Sequence, residues 1–284
     1  MRISIIMPTL NQGRFIEEAL LSIFRQDYVD KEVIVMDGGS TDETMAIVAQ
    51  YRDRIAVFES GKDDGQSDAL AKGFSKATGD IFTWLSSDDI LLPGALSSVA
   101  RTFLSQPGCE WAFGNLVWID ADGFVLRCRR GEGWSRLAVQ LGMLSACGPS
   151  AFFCRNLYER VGGINRKLHY MMDTELWWRF ALCGSRFVRL PRYTWALRLH
   201  ENAKMSGHMF SDPDDPKQLR IEAAKGRERE HIEQIQMRCK VRSDAFVAPL
   251  RLALKAAAPG YVRSLVDSWH WQGKPLPLLL EKMG

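Results

Sequence analysis

The sequence predicts an α/β fold with a mostly parallel sheet and helices on both of its faces. Within the first hundred residues, apolar runs of strand length alternate four times with segments of helical periodicity, which favours parallel strands joined by right-handed crossovers. Acidic turns, one of them carrying two adjacent glycines, follow these strands. The length of 284 residues suffices for one large α/β domain with an appendage.

Each predicted strand ends at a turn that leads into a helix. The strands are predicted at residues 3–7, 33–36, 55–58 and 81–85. After the first strand, apolar residues at helical spacing predict a helix with one face on the sheet, formed by Ile16, Ala19, Leu20, Ile23 and Phe24. After the second strand, Ser40 and Glu43 have the spacing of a capping box, which predicts the start of the next helix.

Acidic side chains recur where these strands end. Because the carboxyl ends of parallel strands meet at one edge, where open α/β sheets bind ligands, Asp37, Asp64 and Asp88–Asp89 are predicted to lie close together. The adjacent carboxylates, flanked by two serines, suit a divalent cation that carries phosphate. Gly38–Gly39 would let the backbone approach an anionic ligand. The simpler alternative is a helix cap in a solvated turn.

The second half of the chain is less regular. Two β-rich runs at 111–119 and 124–126 flank an Asp-Gly turn, which predicts a hairpin or edge strands in antiparallel arrangement. A helix is predicted with Asp173 at or near its N-cap, where an aspartate can serve simply as a cap. Two further strands are predicted at 148–153 and 193–199, the second followed directly by His200.

The sequence after about residue 210 differs in kind, so two parts are predicted: a domain at 1–210 and a basic, largely helical extension at 211–284. An apolar face within 246–257, with basic residues opposite, is typical of a helix that lies on an anionic membrane. Packing of this face on its own domain is the alternative. Trp269, Trp271 and the apolar run at 276–280 fit either role.

Several protein classes are disfavoured by what the sequence lacks. No G-x-G-x-x-G follows the first strand and no G-x-x-x-x-G-K-[ST] occurs, which argues against dinucleotide-binding dehydrogenases and P-loop ATPases. The net charge of +3 is too small to favour a nucleic-acid partner. The first residues do not form a signal peptide, no run of about 20 apolar residues is present, and the cysteines are scattered, so the cytoplasm is the expected compartment.

Taken together and in order, these motifs resemble the family 2 glycosyltransferases, which are inverting enzymes with the GT-A fold. The resemblance covers roughly residues 3–206. The sequence departs from the family pattern at Ser87, where many members have Asp, and at Met172, which replaces Glu. The similar segments are Ile5–Asn11, Val35–Thr44, Asp64–Gly73 with Thr78–Gly79, Ser87–Asp89 in the place of the D-x-D motif, Met172–Asp173 in the place of the E-D motif, and Arg198-x-His200 with Ser206 beyond it.

The resemblance implies roles for particular residues. Asp173 would be the catalytic base, with the nearby carboxylate of Glu175 as an alternative. Asp89 would bind a divalent metal, Mn²⁺ or Mg²⁺, and His200 would be a further metal ligand or a phosphate contact. The nucleotide of the donor would be bound by Pro8, Thr9, Asn11, Asp37, Gly38, Ser40, Asp64, Lys72 and Asp88.

The resemblance also implies an activity. The chain would move a single sugar from a nucleotide-diphosphate donor, a UDP-sugar, to a glycan or lipid-linked acceptor in cell-surface polysaccharide synthesis. The Q-x-x-R-W motif of processive members is absent. The expected location is the cytoplasm, at the inner face of the cell membrane. The alternatives are a sugar-phosphate nucleotidyltransferase of similar fold and a non-catalytic protein that binds nucleotide sugars.

Overall fold

The structure is a computed structural model that describes residues 1–133, 150–204, 216–238 and 259–283. Its strands are β1 (Ile3–Thr9), β2 (Lys31–Asp37), β3 (Val57–Ser60), β4 (Ile81–Trp84), β5 (Ile90–Leu91), β6 (Trp111–Ile119), β7 (Val125–Arg129), β8 (Ala151–Cys154) and β9 (Phe187–Arg198). Its helices are α1 (Gly13–Phe24), α2 (Thr44–Gln50), α3 (Gln66–Lys76), α4 (Ala95–Ser105), α5 (Arg155–Arg160), α6 (Met172–Leu182), α7 (Pro216–Arg238), α8 (Pro259–Trp271) and α9 (Leu276–Met283), with one 3-10 turn at Arg52–Arg54.

The described strands form one sheet in the order β3-β2-β1-β4-β8-β6-β9-β5, with β7 beside β6. This confirms the predicted α/β class. Strands β1 to β4 pair in parallel, and the register aligns Thr9 with Asp37 and Asp37 with Ser60, so their carboxyl ends share one edge. The rest of the sheet is mixed, because β8 is antiparallel to β4 and β6 whereas β9 is parallel to β6.

The hairpin predicted in the second half is confirmed, with β7 antiparallel to β6. Strand β9 is longer than the predicted 193–199 and begins at Phe187. Its antiparallel pairing with β5 connects the segment after β4 to the far side of the sheet. The end of β9 is thereby held next to the end of β4, although the two lie far apart in the sequence.

Aromatic side chains fill the space between the sheet and α6. Trp177 stacks on Trp84 and Trp111, with ring centroids 5.4 Å and 5.7 Å apart. Phe180 lies 5.3 Å from Phe153 in the same cluster. All five side chains are buried, so this packing fixes α6 on the sheet and with it the position of its first turn.

The capping box predicted at Ser40 and Glu43 does not form. Helix α2 begins at Thr44, and its N-cap residue Glu43 makes no capping bond through its side chain. The Ser40 hydroxyl donates instead to the carboxylate of Asp37, while Asp42 accepts the Thr44 N–H at 3.0 Å. Hydrogen bonds to a charged acceptor are stronger than those between neutral groups. The Ser40 hydroxyl therefore stabilises the turn after β2 rather than the start of α2.

The described parts of the predicted extension pack on the rest of the chain. Helix α7 lies beside α6, and α8 lies along β7. Leu276 and Leu279 of α9 are buried in a cluster with residues of β5, β6, β7 and β9, and Trp271 packs against it. The amphipathic segment predicted at 246–257 lies outside the described residues. Within the described ranges, no helix has the length and apolar character needed to cross a membrane.

Candidate active site

Hydrogen bonds join the turns that follow β1 and β2. The Gly38 N–H donates to the Thr9 carbonyl at 2.9 Å. The Asn11 N–H donates to the Ser40 hydroxyl at 2.8 Å, and the Asn11 side-chain oxygen accepts the Thr41 N–H at 2.8 Å. Asn11 has a φ of 52°, in the left-handed region that asparagine adopts more readily than most residues. The two turns therefore form one preformed surface at the edge of the sheet.

Asp37 is the last residue of β2 and is buried, with 3% of its surface exposed. Its carboxylate accepts hydrogen bonds from the Gly39 N–H at 3.1 Å, the Ser40 N–H at 3.1 Å and the Ser60 hydroxyl at 2.6 Å. Ser60 is the last residue of β3, so one carboxylate connects the ends of two neighbouring strands. Asp37, which is predicted to contact the nucleotide, thus also fixes the conformation of the turn that follows β2.

The end of β4 lies beside the end of β1. Pro8 and Thr9 are the last two residues of β1, and the Ser87 hydroxyl donates to the Thr9 hydroxyl at 2.9 Å. Asp88 follows with a side chain that is 17% exposed, and its Oδ2 lies 3.2 Å from Nε2 of His200. A carboxylate and an imidazole, contributed from opposite halves of the chain, therefore meet at this edge.

The adjacent residue, Asp89, is buried, with 4% of its surface exposed. Its Oδ2 accepts the indole N–H of Trp195 at 3.0 Å, and its Oδ1 accepts the Arg198 N–H at 2.9 Å. Burial, and then the charge of Asp88, raise the pKa of Asp89 well above its usual value. The sequence predicts that Asp89 binds a metal ion. In the structure, both oxygens of its carboxylate accept hydrogen bonds from β9 and hold this strand at the end of β4.

Asp88 and His200 provide two donors that suit a divalent cation. Among the residues that the structure describes, no group of three or more His, Cys, Asp or Glu side chains could hold a metal ion by itself. Two protein donors fit an ion that takes its other ligands from water and from substrate phosphates, which is the usual arrangement for Mg²⁺. Asp88 and His200 are thus two side chains at this edge that could hold a metal ion together with a nucleotide diphosphate.

Lys72 lies on α3, and Asp64 lies just before this helix. The ammonium of Lys72 is 2.7 Å from the carboxylate of Asp68, which also accepts a hydrogen bond from Nε of Arg166 at 2.7 Å. The hydrogen bond from Lys72, together with that from Arg166, lowers the pKa of Asp68 to about 2. Lys72, predicted to contact the nucleotide, thus has a carboxylate partner on its own helix, whereas Asp64 is exposed.

The two candidate bases, Asp173 and Glu175, lie in the first turn of α6. Glu175 is buried and accepts two hydrogen bonds from Arg179, at 2.9 Å and 2.6 Å. Asp173 accepts the Thr174 N–H at 2.6 Å, and within the described ranges no cation forms an ion pair with it. Burial raises the pKa of Asp173 above its usual value. Of the two, Asp173 has the environment that favours taking up a proton.

Hydrogen bonds connect Ser86, which lies close to Asp88 in the sequence, to Lys204. Gln66 is the first residue of α3, and its amide N–H donates to the Ser86 hydroxyl at 3.2 Å. The Gln66 carbonyl oxygen accepts a hydrogen bond from the Lys204 ammonium at 3.0 Å. The positive charge of Lys204 offsets part of the increase in the pKa of Asp173. Lys204 is thus held near the end of β4, and its charge also acts on Asp173.

The extension helix α7 takes part in this site. Glu228 accepts the N–H groups of residues 169–171 at 2.6, 2.9 and 2.8 Å, and these residues lead directly into α6. Burial lowers the pKa of Lys204 to about 8, whereas Glu228 and Asp173 raise it. Lys204 as a whole residue is exposed, but its ammonium lies 5.6 Å from the Tyr170 ring and loses hydration there. Glu228 thus fixes the segment that carries Asp173.

A family model described as glycosyl transferase family 2 matches residues 4–155, more than half of the chain. The chain belongs to glycosyl transferase family 2. The matched part of this family 2 member contains β1 to β4 and the carboxylate of Asp88. Asp173 and His200 follow it in the sequence.

Two curated relatives illustrate the similarity of this family 2 member to named enzymes. It is 34% identical over 136 residues to the GalNAc(5)-diNAcBac-PP-undecaprenol beta-1,3-glucosyltransferase of Campylobacter jejuni, covering 46% of this chain and 43% of that protein. It is 29% identical over 195 residues to a PGL/p-HBAD biosynthesis glycosyltransferase of Mycobacterium bovis, covering 67% of this chain and 72% of that protein. The match therefore spans less than half of the Campylobacter relative.

Solved structures extend the similarity to the fold. S. aureus TarS 1–349 in complex with UDP-GlcNAc has a TM-score of 0.59 at 18% identity, covering 94% of this chain and 80% of that chain. A mannosyltransferase from Pyrobaculum calidifontis in complex with GDP-Man and Mn²⁺ has a TM-score of 0.55 at 18% identity, covering 95% and 84%. At such low identity the likeness concerns the fold alone, and it confirms the predicted GT-A fold.

Three residues of this family 2 site were not predicted from the sequence: Gln66, Lys204 and Glu228. Gln66 follows Gly65 at the start of a helix on the ligand edge, and that position was a usable signal. Lys204 lies four residues after His200, between Arg198 and Ser206 of the segment that resembles the family. Glu228 had no local signal, because its role depends entirely on how α7 packs beside α6.

Proposed function

We propose that the protein is an inverting, non-processive glycosyltransferase that moves one sugar from a UDP-sugar to a glycan or lipid-linked acceptor in cell-surface polysaccharide synthesis. The observation that carries this proposal is the meeting of Asp88 and His200, 3.2 Å apart, at the edge where the strands end. Hydrogen bonds from Ser86 through Gln66 lead from this edge to Lys204, whose charge acts on the buried carboxylate of Asp173. Family membership and the names of the two relatives support sugar transfer.

On the donor side, Asp88 and His200 would hold the metal ion together with the diphosphate, and the joined turns after β1 and β2 would receive the nucleoside. Asp88 is preferred to Asp89 as the ligand because both oxygens of Asp89 already accept hydrogen bonds from β9. A bound Mn²⁺ or Mg²⁺ supplies positive charge that stabilises the leaving diphosphate. The UDP-GlcNAc in TarS and the Mn²⁺ in the mannosyltransferase support a UDP-sugar donor and a divalent metal.

On the acceptor side, Asp173 would take the proton of the acceptor hydroxyl. As that proton transfers, the hydroxyl oxygen forms a bond to the anomeric carbon, and the bond from this carbon to the diphosphate oxygen breaks. Free UDP leaves with the bonding electrons, and a single displacement inverts the anomeric configuration. Burial suits Asp173 to this role, because a base of raised pKa holds the proton better, and the charge of Lys204 offsets part of that increase in the pKa.

We locate this reaction in the cytoplasm at the inner face of the cell membrane, because a lipid-linked acceptor presents its sugar at a bilayer surface. The Campylobacter relative is named for an undecaprenol-linked acceptor, and this supports the acceptor class.

The proposal is tested by incubating the purified chain with a panel of nucleotide sugars and a lipid-linked acceptor, with Mn²⁺, Mg²⁺ or EDTA. We expect one UDP-sugar to protect the protein against heat and to release free UDP only when a metal is present. The matched control, Asp173→Asn, should keep the heat protection and lose UDP release. Pyrophosphate formed from a sugar phosphate and a nucleoside triphosphate would instead indicate a nucleotidyltransferase. Protection without turnover by the parent protein would indicate a binding protein.

A further inference from the structure

Helix α8 carries apolar side chains on its outer surface. Four of them lie at positions i, i+3, i+4 and i+7, a spacing that puts them on one face of the helix. They form what we call the outer stripe: Val262, Leu265, Val266 and Trp269, which are 48%, 50%, 59% and 85% exposed. Soluble proteins rarely expose this many apolar side chains side by side on one short helix.

The opposite face of α8 is polar, and this is the face that packs on the protein. The Ser268 hydroxyl accepts the Cys128 N–H at 3.0 Å, and the Ser264 hydroxyl accepts the Arg130 N–H at 2.7 Å. Asp267 accepts a hydrogen bond from Nε of Arg130 at 2.5 Å. A surface helix normally packs with its apolar face inward. Polar contacts therefore hold α8 in an orientation that presents the outer stripe to the surroundings.

Basic groups accompany the outer stripe. Arg263 and His270 are exposed and lie next to it on the helix. Lys274, after the end of the helix, is half-buried, and its ammonium lies 5.1 Å from the Trp271 ring on the packed side. The acidic residue of α8, Asp267, lies on the packed face and is paired there with Arg130. The exposed charge beside the outer stripe is therefore positive.

We propose that the outer stripe of α8 is a docking surface for an anionic lipid bilayer. Its aliphatic side chains and Trp269 would enter the interface between headgroups and acyl chains, while the exposed Arg263 would meet the phosphates. A protein partner is a poorer fit, because stable interfaces bury about 800 Å² on each side, more than four side chains of one helix offer. The inference deepens the location given under the proposed function, but it does not depend on turnover.

Sedimentation of the full chain with lipid vesicles tests this docking surface. We expect binding to phosphatidylcholine vesicles that contain phosphatidylglycerol, weaker binding to pure phosphatidylcholine, and a decrease with salt. The double variant Leu265→Ser/Trp269→Ser should bind at least about tenfold more weakly, because each apolar side chain kept out of the bilayer costs about that factor. The control Leu104→Ser removes a leucine that is 76% exposed on α4 and should bind like the parent.

Several outcomes would overturn the docking surface. Vesicle binding by the double variant equal to that of the parent would do so directly. If the parent formed a dimer and the double variant did not, the outer stripe would be a contact with a second copy of the chain. If the stripe were protected from hydrogen exchange without lipid, its partner would be residues 239–258 of the chain itself. UDP release with a soluble acceptor should be equal in all variants, so a failure of docking and a failure of the transferase proposal are distinguishable.

Discussion

The end of β4 and the start of α6 each carry two carboxylates close together in the sequence, and each pair divides its work in the same way. Asp89 is held by two donors from β9, and Glu175 is held by an arginine on its own helix. Their neighbours Asp88 and Asp173 are not fixed in this way. The comparison teaches that one member of each pair supports the fold, whereas the other member is the one to which we assign a ligand in the proposed function.

The two pairs differ in what holds them in position. The Asp88 pair rests on neighbouring strands of the sheet, whose register aligns their ends. The Asp173 pair lies on a helix whose preceding segment is fixed by Glu228, and the charge of Lys204 offsets part of the increase in the pKa of Asp173. The position of Asp88 therefore depends on the sheet, whereas the position of Asp173 depends on segments that only packing brings together.

The largest contrast is expected within the α6 pair. Asp173→Asn should lower kcat about 10²- to 10⁴-fold while leaving donor binding intact, because it removes the proton acceptor without changing the shape of the side chain. Glu175→Gln should lower the free energy of unfolding by about 1–3 kcal/mol and leave residual turnover, because it weakens the buried contacts to Arg179. Kinetics and thermal denaturation of both variants check this. If Glu175→Gln abolished turnover in a folded protein and Asp173→Asn did not, the assignment of the base would be wrong.

The stability of Asp173→Asn sharpens the same contrast. Because burial raises the pKa of Asp173, the stabilisation from its protonated form is complete below the pKa of the unfolded chain and is lost as pH rises through the folded pKa. The asparagine cannot ionise, so the variant should unfold at an equal or higher temperature than the parent at neutral pH. The difference in unfolding temperature between variant and parent should disappear in acid. A variant that is less stable than the parent at neutral pH would contradict this.

The next largest contrast is expected within the β4 pair. Asp88→Asn should raise the metal concentration needed for half-maximal UDP release, and for heat protection by UDP, by at least about tenfold, since even indirect contacts to a metal contribute that much. Asp89→Asn should leave the metal requirement unchanged but lower the free energy of unfolding by about 1–3 kcal/mol, because its amide offers a donor to the Arg198 N–H. Metal titrations followed by activity and by melting temperature separate the two. If the metal requirement changed in Asp89→Asn and not in Asp88→Asn, Asp89 would be the metal ligand.

The smallest effect is expected at Lys204. Lys204→Met removes the charge that lowers the pKa of Asp173, so the acidic limb of kcat/KM should move to higher pH. Above about pH 8, where Lys204 itself loses its proton, parent and variant should converge. Lys76→Met at the far end of α3 is the control and should leave the profile unchanged. A uniform loss of activity at every pH would indicate a structural role for Lys204 instead.

The first half of the fold was predictable because its signals are local. Apolar periodicity and the turns after each strand predicted β1 to β4 and the edge that carries Asp37 and Asp88. The capping box at Ser40 was wrong, because the spacing of residues does not reveal that Asp37 engages the same hydroxyl. Asp173 entered through the family resemblance rather than through its local pattern, which is equally typical of a helix cap.

By itself the sequence determined that strands and helices alternate, that polar turns follow the strands, and that carboxylates come in close pairs. Only the tertiary structure decided which carboxylate of each pair is held by hydrogen-bond donors of the fold. The reason is physical: desolvation and hydrogen-bond donors set the role of an acid, and they come from distant segments. Asp89 receives its donors from residues 106 and 109 positions later in the chain, and the segment before Asp173 is fixed by Glu228 of the extension.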